Sequence, residues 1–511
     1  MPAFTRTPRQ LAPGQALPVV ATFLLAASLL GASVPAAAQL PTLGDSSDMN
    51  VGAERKLGER IARELYRDPD YIDDPLLSEY IQGIWQKLLT AARNRGELTP
   101  ELDERFAWEV LLGKDRSINA FALPGGWLGL HLGLISITTS QDELASVLAH
   151  ELSHVTQRHI SRILTQQSRQ GPLVVGAMIL GILAAGKSPD AANAVIAGSQ
   201  ALAAQSQLNF SRDMEREADR VGFGVMTQAG FEPQGFVTMF DKLQQASRLN
   251  DNGSFPYLRS HPMNTERIAE MQARQPLGRA TVAPAASFEH SMMAARARVY
   301  SYPGVDRLRA LVTEAEGVEA RPAAPAREAG VFYAAALASS RLRDRPGAAK
   351  WLARLTSVAR SDTKAARLTR LLEAEIAMDA GNAARAAELV DMSTAGRPEL
   401  MLGSQARLRS GRAAEASPRL QTWVALHPRD AGAWQMLASA YAAEGLTLRS
   451  IRAEAEAQVA QLDYAAAVDR FKAAQDLVRR TGAGGDHIEA SIIDTRARKV
   501  ESMLREQALE R

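Results

Sequence analysis

Residues 143–154, ELASVLAHELSH, are the most informative part of this sequence for both its fold and its chemistry. Its apolar residues recur at helical spacing, and on a helix with about 3.6 residues per turn His150 and His154 project from one face. Two such imidazoles can bind one zinc ion, and Glu151 can act as general base on a bound water. A surface helix can also carry these residues by chance. The apolar flank favours the zinc interpretation, because unpaired polar groups in a buried helix are costly.

The residues before this helix predict a small β-sheet. Residues 108–112 and 119–123 have the pattern of strands, and residues 127–137 predict a strand that runs into a helix. Ser140 is the predicted N-cap of the helix with the two histidines, and Glu143 completes a capping box. Upstream, residues 51–95 have apolar side chains at helical spacing.

A third zinc ligand has to come from further along the chain, since catalytic zinc usually takes three protein ligands and a water. The candidate segment is FSRDMEREAD, residues 210–219. Glu215 and Asp219 lie one helical turn apart, so one can bind the metal while the other faces the substrate. Asp213 and Glu217 have the same spacing, and a solvated charged face is a further alternative. Spacing alone therefore leaves the choice open.

Three motifs together resemble peptidase family M48. They are HELSH at 150–154, EREAD at 215–219 and, upstream, NAFALPGG at 119–126. The resemblance covers roughly residues 50–270. The order of parts is also similar to that of exported members of this family that end in tetratricopeptide repeats, and this second likeness is architectural.

The resemblance implies a role for each residue of the motifs. His150, His154 and Glu215 are expected to bind one zinc ion per chain. Glu151 is expected to be the base that activates water, since zinc lowers the pKa of a bound water to about 7. Asp219 is expected to be a proton donor or to orient a ligand histidine.

Two further histidines lie near the motifs. Ser260-His261-Pro262 resembles an element of related periplasmic members, which implies that His261 is a regulatory fourth zinc ligand that displaces the water. A loop histidine or a substrate-binding one is the alternative. His159 lies about 140° round a continuous helix from His154, so we expect it to point away from the zinc, with a surface or outer-sphere role.

The N-terminal residues 1–38 predict a cleaved signal peptide. Arg6 and Arg9 precede the apolar residues 19–30, and the alanines at 36–38 fit a cleavage site. An uncleaved anchor is the alternative. The chain has no cysteine, which excludes disulfides and an acylated N-terminal cysteine. We therefore expect a periplasmic protein that is not a lipoprotein.

Composition limits the remaining function classes. The net charge of +2, with no basic stripe, gives no case for nucleic-acid binding. The apolar run at 172–185 is shorter than the roughly 18 residues that a membrane span needs. We favour a buried or loosely packed helix near the site there, and a helix that makes peripheral membrane contact or acts as a lid is the alternative.

The C-terminal part predicts helix after helix from Val331, with breaks at Gly381, Gly411 and Gly445. The last two are 34 residues apart, which is the tetratricopeptide period. The match is partial, because Leu462 stands where that repeat usually has glycine. An irregular helical bundle is the alternative.

The expected fold is mainly α: an α+β zincin-like peptidase domain with a small sheet, followed by an all-α tetratricopeptide-like solenoid. The expected parts are the signal peptide at 1–38, the peptidase domain at 39–273, a linker with short helices at 274–329 and the repeat domain at 330–511.

The expected function is that of an exported zinc endopeptidase that cleaves misfolded or unassembled proteins. The resemblance implies a role in outer-membrane protein assembly and quality control, with the repeats docking substrate or the barrel assembly machinery. Residues 123–134 can hold substrate as an added strand, or form an ordinary core strand. The alternatives are a chaperone or adaptor with a latent peptidase site, and a structural metal-binding protein.

Overall fold

The structure, a computed structural model, describes residues 49–166, 211–248, 255–275, 287–393, 396–481 and 487–509. The described residues from Met49 onwards belong to one compact unit. The predicted signal peptide at 1–38 and the apolar run at 172–185 lie outside the described residues. Within the described ranges, no helix is both long and apolar enough to cross a membrane.

A three-stranded sheet lies at the centre of the first half. It consists of β1 (Glu109–Gly113), β2 (Ala120–Leu123) and β3 (Trp127–His131), in the order β1-β3-β2. The central strand β3 is parallel to β1 and antiparallel to β2. Because β3 has a neighbour on both sides, it is an ordinary central strand, the second of the two alternatives for residues 123–134, and substrate pairing along β3 is excluded. Among the described strands, β2 is the edge strand beside the histidines, since only β3 pairs with it.

Ten helices surround this sheet in the described part of the first half. They are α1 (Val51–Tyr66), α2 (Pro75–Asn94), α3 (Pro100–Arg105), α4 (Leu132–Ile137), α5 (Gln141–Thr156), α6 (His159–Gln166), α7 (Arg212–Gln228), α8 (Gln234–Arg248), α9 (Tyr257–Ser260) and α10 (Thr265–Ala273). The small sheet among helices is the architecture that the sequence predicted.

Helix α5 carries the two histidines, and every residue from Glu143 to Thr156 is buried. The Ser140 side chain accepts a hydrogen bond from the Glu143 N–H, as a capping residue should. The Glu143 carboxylate accepts from the Thr139 N–H at 2.7 Å. The predicted capping box therefore forms, with its return bond one residue earlier than expected.

Helix α7 crosses α5 at very short range. A Cβ atom on Gly222 of α7 would lie 3.1 Å from the backbone of Ala149 and His150. A side chain at this position would force the two backbones a few tenths of an ångström apart, so glycine favours the close crossing. The crossing places the acidic residues of α7 opposite the histidines of α5.

The second half consists of helices and short turns throughout its described residues. The helices are α11 (Phe288–Ser301), α12 (Val305–Ala320), α13 (Pro325–Arg341), α14 (Arg345–Ala359), α15 (Thr363–Asp379), α16 (Ala383–Leu389), α17 (Arg397–Arg409), α18 (Ser417–Leu426), α19 (Ala431–Ala443), α20 (Thr447–Ala460), α21 (Tyr464–Thr481) and α22 (His487–Ala508). The segment predicted as a linker with short helices, 274–329, contains α11 and α12, which have 14 and 16 residues. The division into domains stays a prediction.

The turns between these helices use left-handed backbone conformations. Gly381, Gly411 and Gly445, which the sequence marks as helix breaks, have φ values of 84°, 74° and 77°. Leu462 has a φ of 63° and takes the same conformation in place of glycine.

Buried and half-buried ion pairs join the two halves. Arg296 of α11 binds Asp74, the N-cap of α2, at 2.6 Å and Glu375 of α15 at 2.7 Å. Arg397 of α17 binds Asp73 at 2.6 Å. Because guanidinium forks hold both Asp73 and Asp74, these contacts fix α11 and α17 against the start of α2.

Candidate metal centre

Four buried side chains converge on one point: His150 and His154 of α5, Glu215 of α7 and His261 after α9. The Nε2 atom of His150 lies 3.0 Å from Nε2 of His154 and 3.3 Å from Nδ1 of His261. Glu215 Oε1 lies 3.0 Å from the same Nδ1 and 3.4 Å from Nε2 of His154. Tetrahedral zinc, with bonds of about 2.0–2.1 Å, needs ligand atoms about 3.3 Å apart. The donor set therefore fits a single zinc ion.

The acidic residues of α7 divide between two directions. Glu215 and Asp219 face the histidines and are buried. Asp213 is exposed, with 93% of its side-chain surface accessible. Glu217 faces α6 and binds Arg162 at 2.9 Å. The structure thus places the first of the two pairs at the site.

Asp219 lies behind His150, on the side away from the other ligand atoms. Its Oδ1 is 2.9 Å from Nδ1 of His150. Arg267 of α10 donates to both Asp219 oxygens, at 2.7 and 2.8 Å. Because both oxygens are held by a permanent cation, the position fits an orienting role and does not fit proton donation.

Arg267 is a site residue that the sequence did not reveal. Its Nη1 lies 2.8 Å from Glu215 Oε2, and its guanidinium packs over the ring of Phe240. It is one of 59 lysines and arginines and stands in none of the recognised motifs. Only the packing of α10 against α7 brings it to the two carboxylates.

Burial and neighbouring charges set the protonation of this group. Burial lowers the pKa of His150, but hydrogen bonds to Asp219 and Glu215 outweigh it and raise the pKa to about 9. Burial lowers the pKa of His154 well below its usual value. Burial raises the pKa of Glu215, but His261 and the bonds from His150 and His154 hold it well below its usual range. Glu215 is therefore an ionised carboxylate, as a metal ligand must be.

Glu151 lies between the sheet and His261. Its Oε2 accepts a hydrogen bond from the Ala122 N–H of β2 at 2.9 Å. Its Oε1 lies 3.4 Å from Nε2 of His261. Burial raises the pKa of this carboxyl, against the lowering effect of His261 and His150. The side chain thus lies beside the four converging side chains, where a carboxylate can act as a general base.

The segment that carries His261 is fixed over the site by Tyr257. The two rings stack with centroids 4.6 Å apart, and the His261 N–H donates to the Tyr257 carbonyl at 2.9 Å. The Tyr257 N–H donates to the Ile118 carbonyl, two residues before β2. The segment therefore closes the site from the side of the β2 edge.

Sequence comparisons agree with this geometry. Residues 78–275 match the profile of peptidase family M48. The beta-barrel assembly-enhancing protease of Yersinia pestis is 30% identical over 440 residues, which cover 83% of this chain and 84% of that protein. The chain belongs to peptidase family M48. Its M48 domain is a metallopeptidase domain, and the converging side chains lie within the matched residues.

Other relatives of the M48 domain match a smaller share. The beta-barrel assembly-enhancing protease of Escherichia coli is 36% identical over 262 residues, which cover 50% of this chain and 52% of that protein. The chain thus spans about half the length of this relative. The mitochondrial metalloendopeptidase OMA1 of Saccharomyces cerevisiae is 28% identical over 200 residues, 38% of this chain and 55% of that protein.

Proposed function

We propose that the chain is a zinc-dependent endopeptidase that cleaves misfolded or unassembled proteins during outer-membrane barrel assembly. The observation that carries the proposal is the set of four ligand atoms at tetrahedral spacing with Glu151 beside them. The two bacterial relatives described above are beta-barrel assembly-enhancing proteases, which supports the link to barrel assembly.

In this proposal His150, His154 and Glu215 hold the zinc ion. When bound in such a site, zinc would act as a Lewis acid that polarises the scissile carbonyl and lowers the pKa of a water molecule. Glu151 takes the proton of that water and delivers it to the leaving amine. Asp219 lies 2.9 Å from Nδ1 on the other side of the His150 ring, where it holds a proton on that nitrogen and orients Nε2 towards the metal.

The β2 edge is the proposed place for substrate. The Ala122 N–H points away from β3 and towards Glu151, so an extended chain that adds to β2 passes next to the proposed base. Such pairing recognises main chain and not side chains. This suits an enzyme whose substrates share only the unfolded state.

His261 is the proposed regulator of this site. Its Nδ1 occupies the fourth ligand position, and its ring stands between Glu151 and the other ligands. In this arrangement the water and the substrate carbonyl have no room. Cleavage therefore requires the segment around Tyr257 and His261 to move, which keeps an exported protease inactive until a substrate or partner opens it.

We propose a periplasmic location and a docking role for the repeat helices. The sequence pattern of 1–38 supports export. The helical second half is fixed against α2 by the ion pairs of Arg296 and Arg397, so a protein bound to it is held near the M48 domain.

A second candidate, a chaperone or adaptor with a latent site, is favoured by the position of His261. Two assays of wild type and Glu151→Gln separate the two functions. The purified proteins are tested for cleavage of an unfolded porin, and each is expressed in cells that lack the wild-type chain to test whether it rescues barrel assembly. We expect Glu151→Gln to bind zinc, to lose cleavage by about 10²–10⁴-fold and to lose rescue. Full rescue by this variant would show that assembly depends on binding alone.

A further inference from the structure

His159, the first residue of α6, contacts the back of the proposed zinc ligand His154. Its side chain is fully buried, and its Nδ1 lies 2.8 Å from Nδ1 of His154. On the other side of its ring, Nε2 lies 3.0 Å from Glu217 Oε2. Three side chains from three helices thus form a line that ends on the nitrogen of His154 opposite to the metal-facing one.

A break between α5 and α6 makes this contact possible. Arg158 has a φ of 52°, a left-handed conformation that is uncommon outside glycine. Its side chain binds Glu54 of α1 at 3.0 Å, which holds the turn in place. The turn directs His159 back onto His154, whereas a continuous helix would carry it about 140° away.

Only one order of protons along this line leaves His154 able to bind a metal. A neutral imidazole carries one proton, so a free lone pair on Nε2 of His154 requires the proton to be on Nδ1. That Nδ1–H donates to Nδ1 of His159, which must then carry its own proton on Nε2 and donate to Glu217. If His159 donated to His154 instead, the His154 proton would lie on the metal-facing nitrogen.

We propose that His159 and Glu217 are positioning residues that fix the tautomer and the ring orientation of His154. This inference rests on the proposed function, since it takes His154 as a zinc ligand. The two ligand histidines then differ in the group that contacts the ring nitrogen facing away from the metal. Asp219 accepts directly from His150, whereas a histidine stands between His154 and its carboxylate. Hydrogen bonds of this kind strengthen metal binding by about 10–100-fold.

The test is the zinc affinity of the purified full chain, measured in competition with a chromophoric chelator at neutral pH. We expect His159→Leu, which removes the His159 ring nitrogen that accepts from the His154 N–H, to weaken binding by about 10–100-fold. His159→Asn places an amide oxygen near the position of Nδ1, and we expect it to stay within about threefold of wild type. Arg162→Ala is the matched control, because Arg162 binds the same Glu217 oxygen from an exposed position without touching the ligand.

The melting temperature of each metal-free variant separates positioning from folding. If the metal-free forms of His159→Leu and His159→Asn have the same melting temperature but differ in zinc affinity, the result supports the positioning role of His159. Equal zinc affinities of His159→Leu, His159→Asn and wild type would overturn it. His154→Ala tests the proposed zinc site independently: if this variant keeps zinc, the site itself is wrong. If His154→Ala loses zinc and His159→Leu does not, only the positioning role of His159 is wrong.

Discussion

Arg267 and Asp219 form a bidentate ion pair behind the proposed zinc ligands, with N–O distances of 2.7 and 2.8 Å. Both side chains are buried. The same guanidinium also contacts Glu215. One permanent cation therefore balances two buried carboxylates: Glu215, a proposed zinc ligand, and Asp219, which we propose to orient the ligand His150.

Removing this cation should destabilise the fold. Arg267→Met leaves the carboxylates of Asp219 and Glu215 buried without their partner, which typically costs about 3–5 kcal/mol of unfolding free energy. Arg267→Lys keeps the charge but not the fork, so we expect a smaller loss. Urea unfolding of the metal-free chains measures both. A loss below about 1 kcal/mol in Arg267→Met would show that the pair is not needed for stability.

His261→Ala should activate the enzyme. It removes the ring that fills the fourth ligand position, so Glu151 gains room for a water. We expect faster cleavage of an unfolded protein or self-cleavage, followed by gel electrophoresis. His487→Ala, at an exposed histidine of α22, is the control and should cleave at the wild-type rate. Unchanged or slower cleavage by His261→Ala would instead favour a role in substrate binding.

Metal removal should lower stability as well as activity. Zinc that binds only the folded chain adds about 4 kcal/mol of unfolding free energy at a free concentration 1,000-fold above its Kd. We expect a chelator to lower the melting temperature and added zinc to restore it. Glu151→Gln should show the same response, because Glu151 is not among the proposed ligands. A melting temperature that is insensitive to chelator in the wild type would contradict the zinc site.

The sequence predicts the site residues that lie within one helix. It predicts fewer of the site residues that tertiary packing brings together. The spacing of His150 and His154 fixes their common face, so the buried helix around them follows from periodicity alone. Glu215 and His261 needed a family resemblance, because spacing on α7 allowed two acidic pairs. Arg267 had no signal, since a buried arginine is recognised only by the carboxylates that tertiary packing brings to it.

The small sheet shows the same limit at the level of the backbone. Short apolar runs bounded by turn residues located all three strands, but the strand order depends on contacts between segments far apart in the sequence. The sequence therefore could not show that β3 is central and that the free edge beside Glu151 belongs to β2. The line from His154 to Glu217 was hidden for a related reason, because it depends on the left-handed turn at Arg158.

The turns of the helical second half allow a stability test with opposite expected signs. Gly445 and Arg343 both have left-handed backbones, with φ values of 77° and 60°. A Cβ atom at Gly445 would meet no atom within 4 Å, so Gly445→Ala suffers only the backbone strain of about 1 kcal/mol. Arg343 is exposed, and Arg343→Gly relieves the same strain while adding freedom to the unfolded chain. We expect urea unfolding to show a loss of about 1 kcal/mol for the first and a gain of up to about 1 kcal/mol for the second. A loss of similar size in both variants would mean that the Arg343 side chain, and not its backbone, determines the stability of that turn.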